Sequence, residues 1–307
     1  MNWYADNKPG TPLPTLLPNP KLNDPALYLP GPGLRAAVDV ALALGQPLLL
    51  TGEPGTGKSQ LADHIAWYFN LEDKPAVVPV QTTSVAKDLY YRYDALGHFQ
   101  HNQHSGKALD PEELEKQFIN FQGLGKAIKE KKRMVVLIDE IDKAPRDLPN
   151  DILTALDRLA FDVPEVKKSY VTKPELAPIV IITSNSEKNL PDPFLRRVVY
   201  YHIPTPKKEE LLAILAKKMT NIAEPNQKLL IEHFDQLRGE QSRLRKKPST
   251  AELLLWADLL VKMKFDPRGL EKGKKLTPEL KDKLKQSYTV LAKTQEDLEA
   301  LYQQLEL

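Results

Sequence analysis

The strongest chemical signal in the sequence is a phosphate-binding loop. Residues 52–59 read GEPGTGKS and match the pattern G-x-x-x-x-G-K-[ST] in full. The backbone N–H groups of such a loop and the N-terminus of the following helix bind phosphate oxygens, and we expect Lys58 to reach the β- and γ-phosphates. A glycine-rich turn without a ligand is the alternative. The predicted nucleotide-binding residues of this stretch are Gly52, Glu53, Pro54, Gly55, Thr56, Gly57, Lys58, Ser59 and Gln60.

Two adjacent carboxylates follow an apolar run further along the chain, in MVVLIDE. Ligand sites in open α/β sheets lie at the carboxyl ends of the strands, so Asp139 is expected beside the phosphate loop. Asp139 and the Ser59 hydroxyl are the predicted magnesium ligands, and Glu140 is the predicted group that polarises the attacking water. The alternative interpretation of the two carboxylates is favourable charge at a helix N-terminus.

The elements that must position these residues are visible as short apolar runs separated by helical segments. Runs rich in β-branched residues or Leu are typical of parallel strands that are covered on both faces. The phosphate loop directly follows one such run and directly precedes the helical segment SQLADHIAWYF. We therefore predict an α/β core with a five-stranded parallel sheet. Its candidate strands are residues 47–51, 76–80, 134–138, 179–183 and 198–203.

The chain on either side of this core has a different pattern. Residues 1–33 are rich in proline and are predicted to form an extended strap, which Trp3, Tyr4, Leu16, Leu17, Tyr28 and Leu29 anchor to the surface; full disorder is the alternative. The core is predicted over 34–204. Residues 205–307 show helical periodicity punctuated by proline, which predicts a small all-helical subdomain. Its predicted helices are 207–220, 226–238, 249–263 and a long segment over 277–305.

Composition excludes several other classes of protein. The 307 residues include no cysteine, so thiol nucleophiles, thiolate metal sites and disulfides are absent. A formal charge of +2 is too small to indicate nucleic acid as the main ligand. No apolar run approaches the roughly 18 residues of a membrane span, and the N-terminus lacks the pattern of a secretory signal. We expect a cytoplasmic protein.

These motifs together resemble the AAA+ ATPases, and within them the MoxR-type family, especially its CoxD-like branch. The resemblance covers nearly the whole chain, through VALALGQPLLLTGEPGTGKSQLA, VVLIDEIDKAPRDLPNDIL, PIVIITSNSEKNLPDPFLRRVVYYHIP and KKPSTAELLLW. It implies an ATP-hydrolysing enzyme that uses Mg²⁺, with a helical lid after the sheet domain. The adenine preference comes from the resemblance, with residues 28–34 as the expected contact stretch.

The resemblance also implies further catalytic residues. Asn185, at the end of the fourth candidate strand, matches the sensor that orients the lytic water; a turn-capping Asn is the alternative. Arg197, with Arg196 beside it, matches the arginine finger that stabilises transition-state charge on a neighbouring subunit's ATP. We favour Arg197 as the finger. A structural salt bridge is the alternative for its neighbour.

One stretch departs from the family pattern. Many AAA+ lids carry a second sensor arginine at a helix start, whereas residues 243–250 read RLRKKPST. Lys247 or Arg245 is a candidate for contact with the γ-phosphate, and a solvated basic turn is the alternative. Ser249 and Glu252 have the spacing of a capping box.

Two stretches resemble insertions of the MoxR-like branch. The first separates the second and third candidate strands and includes Tyr90, Tyr91 and Phe99, which are candidates for substrate contact or for plain packing. It also carries His98, His101 and His104, for which a metal site and a polar surface loop are both considered. The second stretch, 161–177, resembles a hairpin that precedes the first sensor.

Three hypotheses for function follow. The first is a mechanochemical ATPase, a homo-oligomeric ring expected to be a hexamer, which remodels or matures a partner protein in the manner of a chaperone. The resemblance implies a partner with a von Willebrand A domain. The second is a nucleic-acid motor or restriction-associated subunit, supported only by the basic runs 129–133 and 243–247. The third is a nucleotide-gated scaffold.

Overall fold

A computed structural model describes residues 18–105, 109–186, 190–239, 242, 244–271 and 273–305. The described residues divide into two compact units. One comprises residues 30–204, and the other combines residues 18–29 with 205–305. We call them the sheet unit and the helical unit.

The sheet unit contains nine strands and seven α-helices among its described residues. The strands are β1 (Leu48–Thr51), β2 (Ala76–Pro79), β3 (Tyr91–Tyr93), β4 (Ile119–Phe121), β5 (Val135–Asp139), β6 (Ala160–Val163), β7 (Lys168–Val171), β8 (Ile179–Thr183) and β9 (Val199–His202). The helices are α1 (Pro32–Leu44), α2 (Gln60–Tyr68), α3 (Ala95–Ser105), α4 (Pro111–Phe118), α5 (Gly123–Glu130), α6 (Leu148–Arg158) and α7 (Asp192–Leu195).

Five of the strands form one parallel sheet in the order β2-β5-β8-β1-β9. The predicted α/β fold and its five parallel strands are confirmed. The residues explain the arrangement, because Leu48, Leu49 and Leu50 are fully buried and a strand without an exposed face requires layers on both sides. Since β1, β8 and β5 are adjacent, the segments that follow them emerge at the same edge of the sheet.

Two antiparallel pairs, β3 with β4 and β6 with β7, lie outside the main sheet. The β6–β7 pair is a hairpin that begins one residue before the predicted stretch 161–177 and ends within it. An aromatic cluster joins the two pairs: the ring of Phe161 stacks on those of Tyr90 and Tyr170, with centroids 4.7 and 5.1 Å away. Tyr91 is buried in the same cluster. Of the three aromatic residues considered for substrate contact, Tyr90 and Tyr91 therefore pack internally, and Phe99 is 59% exposed.

The three histidines of the first insertion lie on α3. The Nδ1 atom of His98 is 2.6 Å from the Tyr93 hydroxyl, and the rings of His98 and His101 contact Phe118. Within the described part of the chain, no group of three or more His, Asp or Glu side chains is arranged to hold a metal ion.

Among its described residues after 205, the helical unit contains five α-helices. They are α8 (Lys208–Lys218), α9 (Glu224–Arg238), α10 (Thr250–Lys262), α11 (Pro278–Ser287) and α12 (Gln295–Gln304). Their core contains Leu211, Phe234, Trp256, Leu284 and Tyr288. The prediction of all-helical structure after the sheet is confirmed.

The prediction of one long helical segment over 277–305 is wrong. Helix α11 ends at Ser287, a 3-10 turn follows over Tyr288–Val290, and α12 starts a new helix after Thr294. Thr294 has an extended backbone, and its hydroxyl accepts a hydrogen bond from the N–H of Asp297 at 3.1 Å. A side chain that caps a new N-terminus this way interrupts the helical backbone, which apolar periodicity alone does not reveal.

Residues 18–29 of the predicted strap belong to the helical unit, and residues 30–33 belong to the sheet unit. The Lys218 ammonium, on α8, donates to the Leu22 carbonyl at 2.6 Å, and the Lys21 ammonium donates to the Thr220 hydroxyl at 2.7 Å. Tyr28 is buried, whereas Leu29 is 40% exposed. The predicted anchors Trp3, Tyr4, Leu16 and Leu17 lie outside the described residues.

In the described ranges, no helix has both the length and the apolar character that crossing a membrane requires.

Candidate functional site

The loop between β1 and α2 has the backbone that its glycines allow. Gly52 has a φ of +142°, and a Cβ atom there would lie 2.7 Å from the Ile203 carbonyl oxygen. Gly57 has a φ of +90°. Larger residues would be strained at both positions. Helix α2 begins at Gln60 with Ser59 as its N-cap residue, so the loop runs directly into a helix N-terminus.

Lys58 lies at the centre of the loop and is only 8% exposed. Its ammonium donates to the carbonyl oxygens of Gly52 at 2.8 Å and Glu53 at 3.1 Å, and to Oδ1 of Asn185 at 2.9 Å. These three bonds use all the donors of an ammonium group. Burial lowers the pKa of Lys58, and nearby carboxylates, that of Asp142 most strongly, oppose this effect. A phosphate that binds Lys58 must therefore replace at least one of the present acceptors.

Asp139 ends β5 and accepts two hydroxyl hydrogen bonds through Oδ1. The Ser59 hydroxyl donates at 2.8 Å and the Thr183 hydroxyl at 2.6 Å. The structure thus brings the two predicted magnesium ligands, Ser59 and Asp139, into direct contact. A hydroxyl and a carboxylate are hard oxygen donors, and this donor set fits Mg²⁺.

Glu140 follows in a left-handed backbone conformation, with a φ of +62°. This conformation costs a residue with a Cβ atom about 1–2 kcal/mol. The Glu140 N–H donates to the Thr183 hydroxyl at 3.0 Å, and the Glu140 carboxylate pairs with the Lys143 ammonium at 2.5 Å. Thr183 therefore contacts two consecutive residues at the end of β5, the Asp139 carboxylate and the Glu140 N–H. The Glu140 side chain is 43% exposed and so accessible to water.

Asn185 lies two residues after the end of β8, and β8 is the neighbour of β5 in the main sheet. Its side-chain oxygen contacts Lys58, as above, and its backbone N–H donates to Oδ1 of Asp142 at 3.1 Å. Predicted residues from three separate segments, which are the phosphate loop, the turn after β5 and the end of β8, therefore form one hydrogen-bonded cluster.

The three predicted residues outside these segments take no part in the hydrogen bonds of this cluster. Arg196 and Arg197 follow α7 and are exposed, and neither forms a salt bridge with any described residue. Lys247 is exposed and belongs to the helical unit.

The stretch around Lys247 has its own local contacts. The Arg245 guanidinium pairs with Glu296 at 2.7 Å. Ser249 and Glu252 form the expected capping box, in which the Ser249 N–H donates to Glu252 at 2.6 Å. Arg243, which begins this basic run, lies outside the described residues.

Two residues of the cluster, Thr183 and Asp142, were missed from the sequence. Thr183 belongs to the pattern TSN and Asp142 to the pattern DEID, each a group of polar residues that follows an apolar run. Both patterns therefore indicated a position near the site. Such a pattern shows that a side chain is near the site but not what it contacts. Only the adjacency of β5 and β8 places Thr183 against Asp139 and Asp142 against Asn185.

Residues 47–198 match the family model of the AAA domain, dynein-related subfamily. This range runs from the residue before β1 to the residue before β9 and includes the whole hydrogen-bonded cluster. Residues 47–198 are an AAA domain. AAA domains bind and hydrolyse ATP, and the protein is an ATPase. The subfamily includes MoxR-type proteins, and the narrower CoxD-like branch stays a prediction. No curated protein matches the chain.

Proposed function

We propose that this AAA ATPase is a homo-oligomeric ring, with six subunits, in which each ATP is hydrolysed by residues of two neighbouring subunits. The work of the ring is to remodel or mature a partner protein. The observation that carries the proposal is the pair Arg196 and Arg197, two exposed guanidinium groups without a salt bridge to the described residues of their own subunit. A guanidinium stabilises charge that spreads over a phosphoryl group in transfer. Arg197 is the finger, and Arg196 supports it.

Within one subunit, the cluster supports a division of roles. The backbone N–H groups of the loop over residues 52–59, in which Pro54 has none, and the Lys58 ammonium hold the phosphates, with Gln60 at the helix start. Ser59 and Asp139 would hold Mg²⁺. When bound, this ion neutralises charge on the phosphate oxygens. Glu140 is the residue that orients and deprotonates the attacking water.

The present contact between Lys58 and Asn185 supports a change on ATP binding. Because Lys58 has no spare donor, its contact with a phosphate releases a current acceptor, and Asn185 is the only side chain among the three. The released Asn185 amide can donate to the γ-phosphate and accept from water, which is the role proposed for it. Lys247 is proposed to contact the γ-phosphate, and residues 28–34 to contact the adenine.

Mixing two inactive variants tests the shared site directly. Glu140→Gln removes the water-activating carboxylate but keeps the arginines, and Arg197→Ala removes the finger but keeps the carboxylate. Each variant alone should bind ATP with little turnover. A mixed ring contains sites with Glu140 from one subunit and Arg197 from the next, so mixing should restore a fraction of wild-type turnover. Arg133→Ala, at an exposed arginine before β5, is the matched control and should turn over normally.

Particle mass and turnover should be followed together across protein concentration. A shared site requires turnover per subunit to rise with assembly. If Arg197→Ala retains full turnover, or if the mixture stays as inactive as its components, the shared site is wrong. ATP binding without turnover in the wild type would favour a nucleotide-gated scaffold instead.

The alternative of a nucleic-acid motor has weak support from the basic runs. Lys129 pairs with Glu115 at 2.5 Å, and Lys132 pairs with Glu72 at 3.1 Å. Neighbouring carboxylates thus balance these charges, which reduces attraction to phosphate backbones. Stimulation of turnover by DNA, with a steep dependence on salt, would favour the motor. Stimulation by a protein with a von Willebrand A domain would favour the proposed client.

A further inference from the structure

The turn after β5 carries a third carboxylate, Asp142, for which the sequence patterns indicated no role. It lies in the 3-10 turn Ile141–Lys143, which directly follows Glu140. Its Oδ1 atom accepts a hydrogen bond from the backbone N–H of Asn185 at 3.1 Å, and the Ser184 hydroxyl oxygen lies 3.3 Å from the same atom. Asp142 therefore links the turn after β5 to the segment after β8.

The hydrogen bond between Asp142 and Asn185 follows directly after the last backbone hydrogen bond of β8 in the main sheet. The Ser184 N–H still donates to the Leu50 carbonyl, at 2.9 Å, and extends the pairing of β8 with β1 by one residue. The next N–H, that of Asn185, is bound by Asp142 instead. A hydrogen bond to a carboxylate is stronger than one to a neutral acceptor, so Asp142 fixes the backbone from which the Asn185 side chain projects.

Asn185 is thus held at two points, by Asp142 at its backbone and by Lys58 at its amide oxygen. The second contact is the one that phosphate binding is proposed to release. We propose that Asp142 is a positioning residue for ATP hydrolysis, which keeps Asn185 in place through its backbone N–H once Lys58 turns to the phosphates. This inference rests on the proposed role of Asn185.

The effect of Asp142 should pass through Asn185, which a double-mutant cycle can measure. Asp142→Ala should lower kcat by about 10- to 100-fold, the effect of a small misplacement of a catalytic group, with little change in KM. In the Asn185→Ala background, the same change should have no further effect on kcat. Asp142→Asn keeps an oxygen acceptor and should recover most of the loss. Asp157→Ala, at an exposed carboxylate on α6, is the matched control.

Hydrogen exchange gives a readout that does not depend on turnover. A peptide covering residues 181–186 should exchange faster in Asp142→Ala than in the wild type or in Asp157→Ala, and Asp142→Asn should lie between them. If Asp142→Ala does not fold, the double-mutant cycle is measured with Asp142→Asn instead. The smaller loss of kcat in Asp142→Asn should also disappear in the Asn185→Ala background.

Two results would overturn the inference in distinguishable ways. If Asn185→Ala lowers kcat but Asp142→Ala does not, or if their effects multiply, Asp142 does not act through Asn185, while the proposed role of Asn185 stands. If Asn185→Ala itself leaves kcat unchanged, both the proposed role of Asn185 and the inference fall.

Discussion

Two buried lysines, one in each unit, have similar burial but different roles. Lys58 of the sheet unit is 8% exposed and Lys218 of the helical unit 4%. Each ammonium donates to a main-chain carbonyl, and burial lowers the pKa of both. Burial of an ammonium therefore does not by itself identify a functional residue.

The neighbours of the two lysines make the difference. Lys58 lies in a loop that leads into a helix N-terminus, and Asp142, Asp139 and Glu140 all act on it. Lys218 instead binds the Leu22 carbonyl, with Asp24 as its favourable charge. The first arrangement can exchange its acceptors for phosphate, whereas the second fixes a chain segment onto a helix.

The largest effect is expected from Lys58→Met. The substitution keeps an apolar stem but removes the ammonium, so turnover should fall by at least about 100-fold, as for other lost stabilisers of transition-state charge. The free energy of unfolding should also decrease, by about 1–3 kcal/mol, because the buried Gly52 carbonyl loses its donor. Steady-state turnover and urea unfolding measure the two quantities. Turnover close to that of the wild type in Lys58→Met would contradict the assignment of Lys58 to function.

A pH effect is expected in the helical unit at His233. Its ring stacks on Trp256 and Tyr288, with both centroids 5.9 Å away, and burial lowers its pKa to about 4. The unfolded chain, with an ordinary histidine pKa near 6.5, binds a proton first as the pH falls. Stability should therefore be complete above about pH 6.5 and decrease by about 3 kcal/mol towards pH 4.

Unfolding of the helical unit can be followed through Trp256 in a background where Trp3 and Trp67 are Phe. His233→Phe keeps the stacking but cannot titrate, so the part of the pH slope between 6.5 and 4 that comes from this residue should disappear. An unchanged slope in His233→Phe would show that other groups cause it.

A smaller effect is expected from Lys218→Met, the counterpart of Lys58→Met. The Leu22 carbonyl loses its donor, so the helical unit should lose about 1–3 kcal/mol of stability. Hydrogen exchange should increase over residues 18–29, which Lys218 holds. ATP binding should persist at temperatures where the variant is folded. If Lys218→Met lost ATP binding without losing stability, Lys218 would have a role in nucleotide binding, and the proposed difference between Lys58 and Lys218 would be wrong.

The sequence determined the local chemistry of the protein. The phosphate loop, the Asp139–Glu140 pair and the five strands are each encoded in fewer than ten consecutive residues, where glycine positions and runs of buried apolar side chains are informative without the rest of the chain. The same kind of pattern failed over 277–305, because apolar periodicity continued across a break that Thr294 makes through a side-chain cap.

The tertiary structure decided which of these segments meet. The order β2-β5-β8-β1-β9 places Thr183 against Asp139 and Asp142 against Asn185, pairs more than 40 residues apart in the sequence. It also binds Leu22 to Lys218, 196 residues away. Strand order and register follow from how the whole set of apolar faces is buried at once, and no local pattern of residues contains that information.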